Sequence, residues 1–538
     1  MSGKLSTEPG PAPLLEAQAL RVVIGAEAVV DGVTLRLRRG RVTGIVGESG
    51  SGKSQLVAAL TGLSAGRVEG AVRFRGSDLA RLDERALRRV RGGGIAYVFQ
   101  DPASALNPFL TVGAQLTEVA RHHLGLGRAA ARERAEGRLA AVGLPRGTDW
   151  LSRHPHELSG GQAQRVAIAM ALMGDPEILV ADEPTTALDV TVQKGVLELI
   201  RQLADAEGLA AILVSHDLAA VAHIADEVVV MHRGRVAEAG RVETVLHRPE
   251  ADYTRRLIAA TPRLSDPSPP PGAAGPGLIA VEDLSVTYAG RGRLRRAAGH
   301  RAVAGVSFAI AERETVGLVG ESGSGKSTVA RALLGLSPVS GGRVLWRGTP
   351  LDGMDAAQER AYRRSVQMVF QDPYAALNPR MRVGRLIAEP LWTHRPDLGR
   401  RETRARVEAA LAAVRLPAAF AARLPRQLSG GQAQRVNIAR AIVSEPELLI
   451  CDEAVSALDV SVQAEILDLL ERLRAELGLA MLFITHDLAV IRRMGERILV
   501  MRAGEIVEAA EGARLFEAPR HPYTRALLDA VLPLEAAG

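Results

Sequence analysis

A chain of 538 residues with 47% hydrophobic and 24% charged side chains is too long for one compact unit and too apolar to be disordered. Its one cysteine, Cys451, excludes an intramolecular disulfide and any cysteine-built zinc or iron–sulfur cluster, and suits a reducing compartment. The net charge of +6 rests on dispersed arginine, with lysine only at positions 4, 53, 194 and 326, so no basic block points to nucleic acid.

Residues 1–13 are small and polar and lack the apolar segment of a signal peptide. No later stretch approaches the ~20 apolar residues of a membrane span. The longest apolar runs, 209–214 and 479–484, have the length of buried strands. The run 42–46 predicts a strand feeding a glycine loop, Gly47-Glu-Ser-Gly50-Ser-Gly52-Lys53-Ser54, with a helix after it. That order of strand, loop and helix is the context of a P-loop. Its glycines let backbone N–H groups turn inward around phosphates at a helix N-terminus, where the dipole favours anions. Lys53 is expected to reach the β and γ phosphates, and Ser54 to hold Mg²⁺.

The Arg/Ala/Glu-rich stretch 114–143 predicts helix. The run 178–181 ends in Asp182-Glu183, where the aspartate is expected to hold Mg²⁺ through water and the glutamate to orient or deprotonate the attacking water. The run 212–214 leads into Ser215-His216-Asp217, which places His216 to contact the γ-phosphate. Residues 263–277 are rich in proline and glycine and predict an exposed linker between domains at 1–262 and 278–538.

The second half then repeats the first. Gly320, Gly323, Gly325, Lys326 and Ser327 restate the glycine loop at an offset of 320 − 47 = 273. Residues 428–436 restate 158–166, and Asp452-Glu453 and His486-Asp487 restate their counterparts, each 270 apart. The run 448–451 predicts the strand that ends in Asp452, and residues 400–414 a helix. A near-constant, domain-sized offset means one fold written twice. Apolar strands alternating with helices predict a largely parallel sheet covered on both faces, with the polar motifs at its carboxyl edge.

Leu158-Ser159-Gly160-Gly161-Gln162 and Leu428-Ser429-Gly430-Gly431-Gln432, lying between P-loop and Asp-Glu in both halves, resemble the signature of the ABC ATPase family. The resemblance implies a RecA-like α/β core, a small antiparallel β subdomain and an inserted helical subdomain in each half. It also implies a head-to-tail pair in which ATP bound at Lys53 meets Ser429, and ATP bound at Lys326 meets Ser159. Ser-Gly-Gly at a helix start would there act as a second anion nest. By the same resemblance Gln100 and Gln371 sense Mg²⁺ and touch membrane partners, and Asp189 and Asp459 cross the interface. Tyr288 matches the aromatic residue that stacks on adenine; its counterpart is Ile24. Gln55 stands where the other half has Thr328 near the α-phosphate. With Glu and His in both halves, two hydrolytic sites are expected.

Gln-Asp-Pro-x-x-x-Leu-Asn-Pro after each Q-loop, and His521-Pro522-Tyr523-Thr524 near the end, resemble the ATPases of dipeptide, oligopeptide and nickel importers, here fused. The first half has Ala251-Asp252-Tyr253-Thr254 instead. The resemblance implies MgATP hydrolysis at the cytoplasmic face of the membrane, two permease partners and an extracytoplasmic solute-binding protein. Peptide is the favoured solute, with nickel, glutathione or another small solute as alternatives. A soluble tandem ABC ATPase acting on ribosomes or DNA is the less favoured alternative, because relatives on ribosomes usually carry a long charged linker and DNA-repair relatives insert zinc modules, neither of which this sequence has.

Overall fold

The computed structural model describes residues 12–146, 149–186, 188–270, 275–288, 299–456 and 458–534. They fall into two compact units, one holding the residues up to Thr261 together with those from Leu532 onward, the other spanning Pro262–Val531.

In the first unit the strands Leu15–Ile24, Glu27–Leu37, Arg67–Phe74 and Ser77–Asp78 pair as an antiparallel sheet. Val33, Leu35 and Leu37 alternate with exposed residues, so one face of this sheet is buried. A six-stranded sheet runs in the order Arg235–Arg241, Glu227–His232, Val42–Val46, Ala210–Ser215, Ile178–Asp182, Ile95–Val98. All its neighbours are parallel except the first pair. Every residue of Val42–Val46, Ile178–Asp182 and Ala210–Ser215 is buried. That is why these strands read as continuous apolar runs rather than alternating ones.

The second unit repeats both sheets with the same strand order, built on Thr315–Val319, Leu448–Asp452 and Ala480–Thr485. Between the strands Ile95–Val98 and Ile178–Asp182 the first unit inserts the helices Val112–Leu124, Arg128–Ala141 and Gly160–Ala171. The helical stretch expected over 114–143 is built as two helices. Gly125 ends the first in the left-handed region at φ 65°, and Gly127 caps the second. The counterparts in the second unit are Val383–His394, Arg400–Ala413 and Gly430–Ile442.

Register fixes what the strands present at their carboxyl ends. Val46 pairs with Ser215 and Asp182 with Val214, so the glycine loop, Asp182-Glu183 and His216 emerge along one edge. Val319 with Thr485 and Asp452 with Ile484 do the same in the second unit.

The stretch expected as an exposed linker is half-buried where it begins. Leu264 packs against the core of the second unit, and Arg492 Nε donates to the Asp266 carbonyl at 2.6 Å. Proline blocked regular structure there, but one leucine and one turn carbonyl suffice to seat the segment; residues 271–274 lie outside the described residues.

Cys451 is fully buried in the strand Leu448–Asp452, and that burial pushes its thiol well above the usual range. Iodoacetamide is therefore expected to leave the native chain unmodified and to add one label per chain in denaturant, read by intact mass.

Candidate active sites

Each glycine loop closes on its own lysine. Lys53 Nζ donates to the Gly47 carbonyl at 2.6 Å and the Glu48 carbonyl at 2.9 Å; Lys326 Nζ donates to Gly320 and Glu321, both at 2.8 Å. Both ammonium groups are nearly buried, so paired carbonyls offset part of their desolvation. Gly52 and Gly325 cap the helices Lys53–Leu60 and Lys326–Leu333 at φ 97° and 109°. A Cβ on either would sit 2.4 Å from a backbone carbonyl oxygen, of Val29 or of Ala302. Only glycine fits there. Ser54 and Ser327 follow on the first turn of each helix, as do Gln55 and Thr328. Gly50 and Gly323 also stand at positive φ.

The acidic pairs divide by environment. Burial lifts the Asp182 and Asp452 carboxyls above the ordinary range, with the neighbouring glutamate adding to the rise and nearby hydroxyls opposing it. Ser327 Oγ donates to Asp452 Oδ1 at 3.0 Å. In the first unit Tyr97 Oη donates to Asp182 Oδ2 at 2.6 Å, while Asp182 Oδ1 is buried with no hydrogen-bond partner among the described residues. Burial also opposes ionisation of Glu183 and Glu453, but the bond and charge of His216 and His486 outweigh it and hold both carboxyls below their usual range. His486 Nδ1 lies 3.3 Å from Glu453 Oε1, and His216 Nδ1 lies 3.4 Å from Glu183 Oε1. Burial disfavours the charged form of His486, yet Glu453 prevails and raises it.

The histidines and Q-loop glutamines thus converge on the glutamates. Gln100 Nε2 donates to Glu183 Oε2 at 2.7 Å, and Gln371 Nε2 to Glu453 Oε2 at 2.5 Å. Both glutamates stand in the left-handed region, at φ 47° and 48°. For a non-glycine residue that conformation costs about 1–3 kcal/mol and persists only where the surroundings impose it. Here the amide of Glu183 donates to Val214 O and that of Glu453 to Ile484 O, each at 2.9 Å.

The signature residues form a capping box in both units. Ser159 accepts from the Gln162 amide at 3.3 Å, and the Gln162 side chain accepts from the Ser159 amide at 3.0 Å; Ser429 and Gln432 repeat this at 3.3 and 3.1 Å. Gly160 and Gly430 open the helices, while Gly161 and Gly431 let Val192 and Val462 approach, since a Cβ would meet them at 2.5 and 2.4 Å. Asp189 and Asp459 cap the long helices Val190–Glu207 and Val460–Leu477. Ile24 and Tyr288 are the last residues of matching strands, both partly exposed, and the Tyr288 hydroxyl bonds Ser337 Oγ at 3.0 Å.

Three site features escaped the sequence. Tyr97 carries no spacing signal; register aligns it with Met368, because Tyr97 pairs with Val180 and Met368 with Ile450. Ser51 and Ser324, buried in the loops with hydroxyls that lack a hydrogen-bond partner among the described residues, stand at positions that the glycine spacing leaves unspecified. Tyr253 and Tyr523 were noted only as part of a tail pattern, yet their hydroxyls reach the glycine loops.

Two nucleotide-loop sites of this construction, each beside an Asp-Glu strand end and a capped Ser-Gly-Gly helix, define an ATPase of the ABC class. A family model described as ABC transporter matches residues 30–186 and 303–456, and the chain belongs to that family as an ATP-binding ATPase. A second model, the oligopeptide/dipeptide transporter C-terminal region, matches 237–283 and 507–537. The chain is 43% identical to the peptidoglycan transport ATP-binding protein YejF of Agrobacterium fabrum, over 97% of each chain. It is also 43% identical to the glutathione import ATP-binding protein GsiA of Escherichia coli O157:H7, over 94% of this chain and 86% of that one. Among the described residues no helix is long and apolar enough to cross a membrane.

Gly325→Ala sets a Cβ against the Ala302 carbonyl in a left-handed conformation. It is expected to cost about 1–3 kcal/mol, read as a lowered thermal midpoint of the second unit together with loss of ATP binding there.

Proposed function

We propose that the chain is the ATP-hydrolysing subunit of a membrane importer for short peptides or peptide-bearing solutes, working at the cytoplasmic face with two permeases and an extracytoplasmic binding protein. The observation that carries this reading is the C-terminal region match in both halves, at 237–283 and 507–537, in a chain with no membrane-crossing helix among its described residues. Relatives named for glutathione import and for peptidoglycan transport support it, because both solutes contain short peptides. Proteoliposomes holding the chain, its permeases and its binding protein are the test. ATP turnover should rise with di- or tripeptides; turnover driven by nickel and by no peptide would overturn the solute assignment.

Two composite sites are part of the proposal, each pairing one glycine loop with the other half's Ser-Gly-Gly. Hard cations favour oxygen ligands, and Mg²⁺ takes one or two carboxylates while keeping waters. Ser327 Oγ beside Asp452 Oδ1, and the buried, unpartnered Asp182 Oδ1, fit such an ion with Ser54, Ser327, Asp182, Asp452, Gln100 and Gln371 as its surroundings. When bound, it would supply charge neutralisation at the β and γ phosphates. Lys53 and Lys326 exchange loop carbonyls for phosphate oxygens. Glu183 and Glu453, ionised, accept the proton of the water whose oxygen attacks the γ-phosphorus, and the bond to the β-phosphate oxygen breaks to leave ADP and phosphate. Glu183→Gln combined with Glu453→Gln is expected to reduce ATPase activity about 10²-fold or more while ATP still binds. Near-normal turnover would remove the base assignment.

The two sites are proposed to be unequal. Tyr288 offers an aromatic face for adenine where Ile24 does not, and stacking on one base is worth about 1–3 kcal/mol. With Lys326→Ala isolating the first site and Lys53→Ala the second, ATP is expected to bind the second more tightly and with more preference over GTP. Equal affinities and equal base selectivity would end the idea.

A further inference from the structure

The tail segments that mark each half as importer-like also touch the nucleotide loops, identically in both units. Tyr253, in the helix Asp252–Ala260, accepts a hydrogen bond from the Glu48 amide at 3.1 Å. Tyr523, in Pro522–Ala530, accepts one from the Glu321 amide at 3.2 Å. Both tyrosines are more than nine-tenths buried. Each ring lies against the end of the strand beside the P-loop strand, with His232 at 4.0 Å between ring centroids and the Arg502 guanidinium 4.9 Å from the Tyr523 centroid.

The helices that carry these rings are anchored in turn. A register break in each antiparallel edge strand directs one glutamate toward the tail. The two oxygens of Glu238 accept the amides of Glu250 and Ala251 at 2.9 and 3.1 Å; those of Glu508 accept the amides of Arg520 and His521 at 2.8 and 2.9 Å. The matched C-terminal regions contain both of these glutamates and both tyrosines. The first half lacks His-Pro ahead of its tyrosine, yet the phenol arrives at the same amide, so the contact survives where the tail pattern fails.

The amide of Glu48 and the carbonyl of Gly47 belong to one planar peptide unit. Tyr253 holds its N–H and Lys53 holds its oxygen. Tyr523 and Lys326 grip the Gly320–Glu321 peptide in the same way. We propose that Tyr253 and Tyr523 are positioning residues for ATP: each phenol fixes this peptide plane, and with it the loop lysine, in the phosphate-ready arrangement before nucleotide arrives. The C-terminal region is thereby part of the nucleotide site. The inference rests on the glycine loops being the ATP sites.

Tyr253→Phe with Tyr523→Phe in the full chain is the test. Loss of one net hydrogen bond per site should raise the ATP dissociation constant and KM about 3–10-fold. Turnover at saturation should fall by less than KM rises, and amide hydrogen exchange at Glu48 and Glu321 should quicken. A purely structural role would lower the thermal midpoint with KM and loop exchange unmoved, and that result overturns the proposal. Should the double variant fail to fold, Glu238→Gln with Glu508→Gln loosens the anchors and leaves the rings intact. It should raise KM in the same direction by a smaller factor, and an unchanged KM again overturns the proposal. Lys53→Ala with Lys326→Ala separates the two readings. If it abolishes ATP binding while the tyrosine variant changes nothing, the sites stand and the positioning role falls; if ATP still binds, the site assignment itself fails.

Discussion

Parallel strand ends held in register by backbone hydrogen bonds decide where chemistry can occur in each unit. Because Val46 pairs with Ser215 and Asp182 with Val214, the glycine loop, the acidic pair and the histidine cannot shift separately. A slip of one residue would turn each buried strand's side chains to the opposite face and carry its terminal motif along the strand axis by about 3.3 Å, out of line with its neighbours. The strands are buried along their whole length, so every such slip exposes or crowds the core. Apolar burial therefore sets the precision of a polar site that it does not itself contain.

The glutamates show how that precision is used. Each sits one residue past its strand in a left-handed conformation, fixed by an amide bond to the neighbouring strand. In the second unit one carboxylate oxygen faces His486 and the other accepts from Gln371; the first unit repeats this with His216 and Gln100. A carboxylate with both oxygens engaged is held in orientation while a further lone-pair site stays open on each oxygen. Gln100 and Gln371 stand on loops after edge strands, whereas the histidines follow buried central strands. The glutamines are thus the partners that can withdraw at smaller cost to the fold.

Much of this is legible in the amino-acid sequence itself. Repetition at a constant offset announced two copies, and glycine spacing announced the loops, because turning a backbone around phosphate leaves few residue choices. The polar motifs at strand ends followed from the same logic. What stayed hidden were partnerships between residues far apart in the chain: Gln100 with Glu183, Tyr97 with Asp182, and Tyr253 with Glu48 lie 83, 85 and 205 residues apart. No periodicity encodes such meetings; the sheet order creates them. The signature serine was read as an anion nest, while its hydroxyl also caps its own helix, a local role that Ser-x-x-Gln spacing does encode. The linker was read from composition, which weighs prolines and overlooks a single leucine that finds a core.

The two halves carry different side chains at several positions around these sites. Tyr97 stands opposite Met368 in register, Ile24 opposite Tyr288, Gln55 opposite Thr328, and His232 opposite Arg502. None of these exchanges disturbs the strand register or the glutamate cluster, which is why the fold tolerates them. On the proposed reading, their energetic effect falls on occupancy. A difference of about 1–3 kcal/mol in binding is about 5–150-fold in affinity, so over a range of ATP concentrations one glycine loop would be loaded and the other largely empty. The tyrosine struts then matter most at the weaker first loop, since a loop already set around its lysine loses less freedom when ATP arrives.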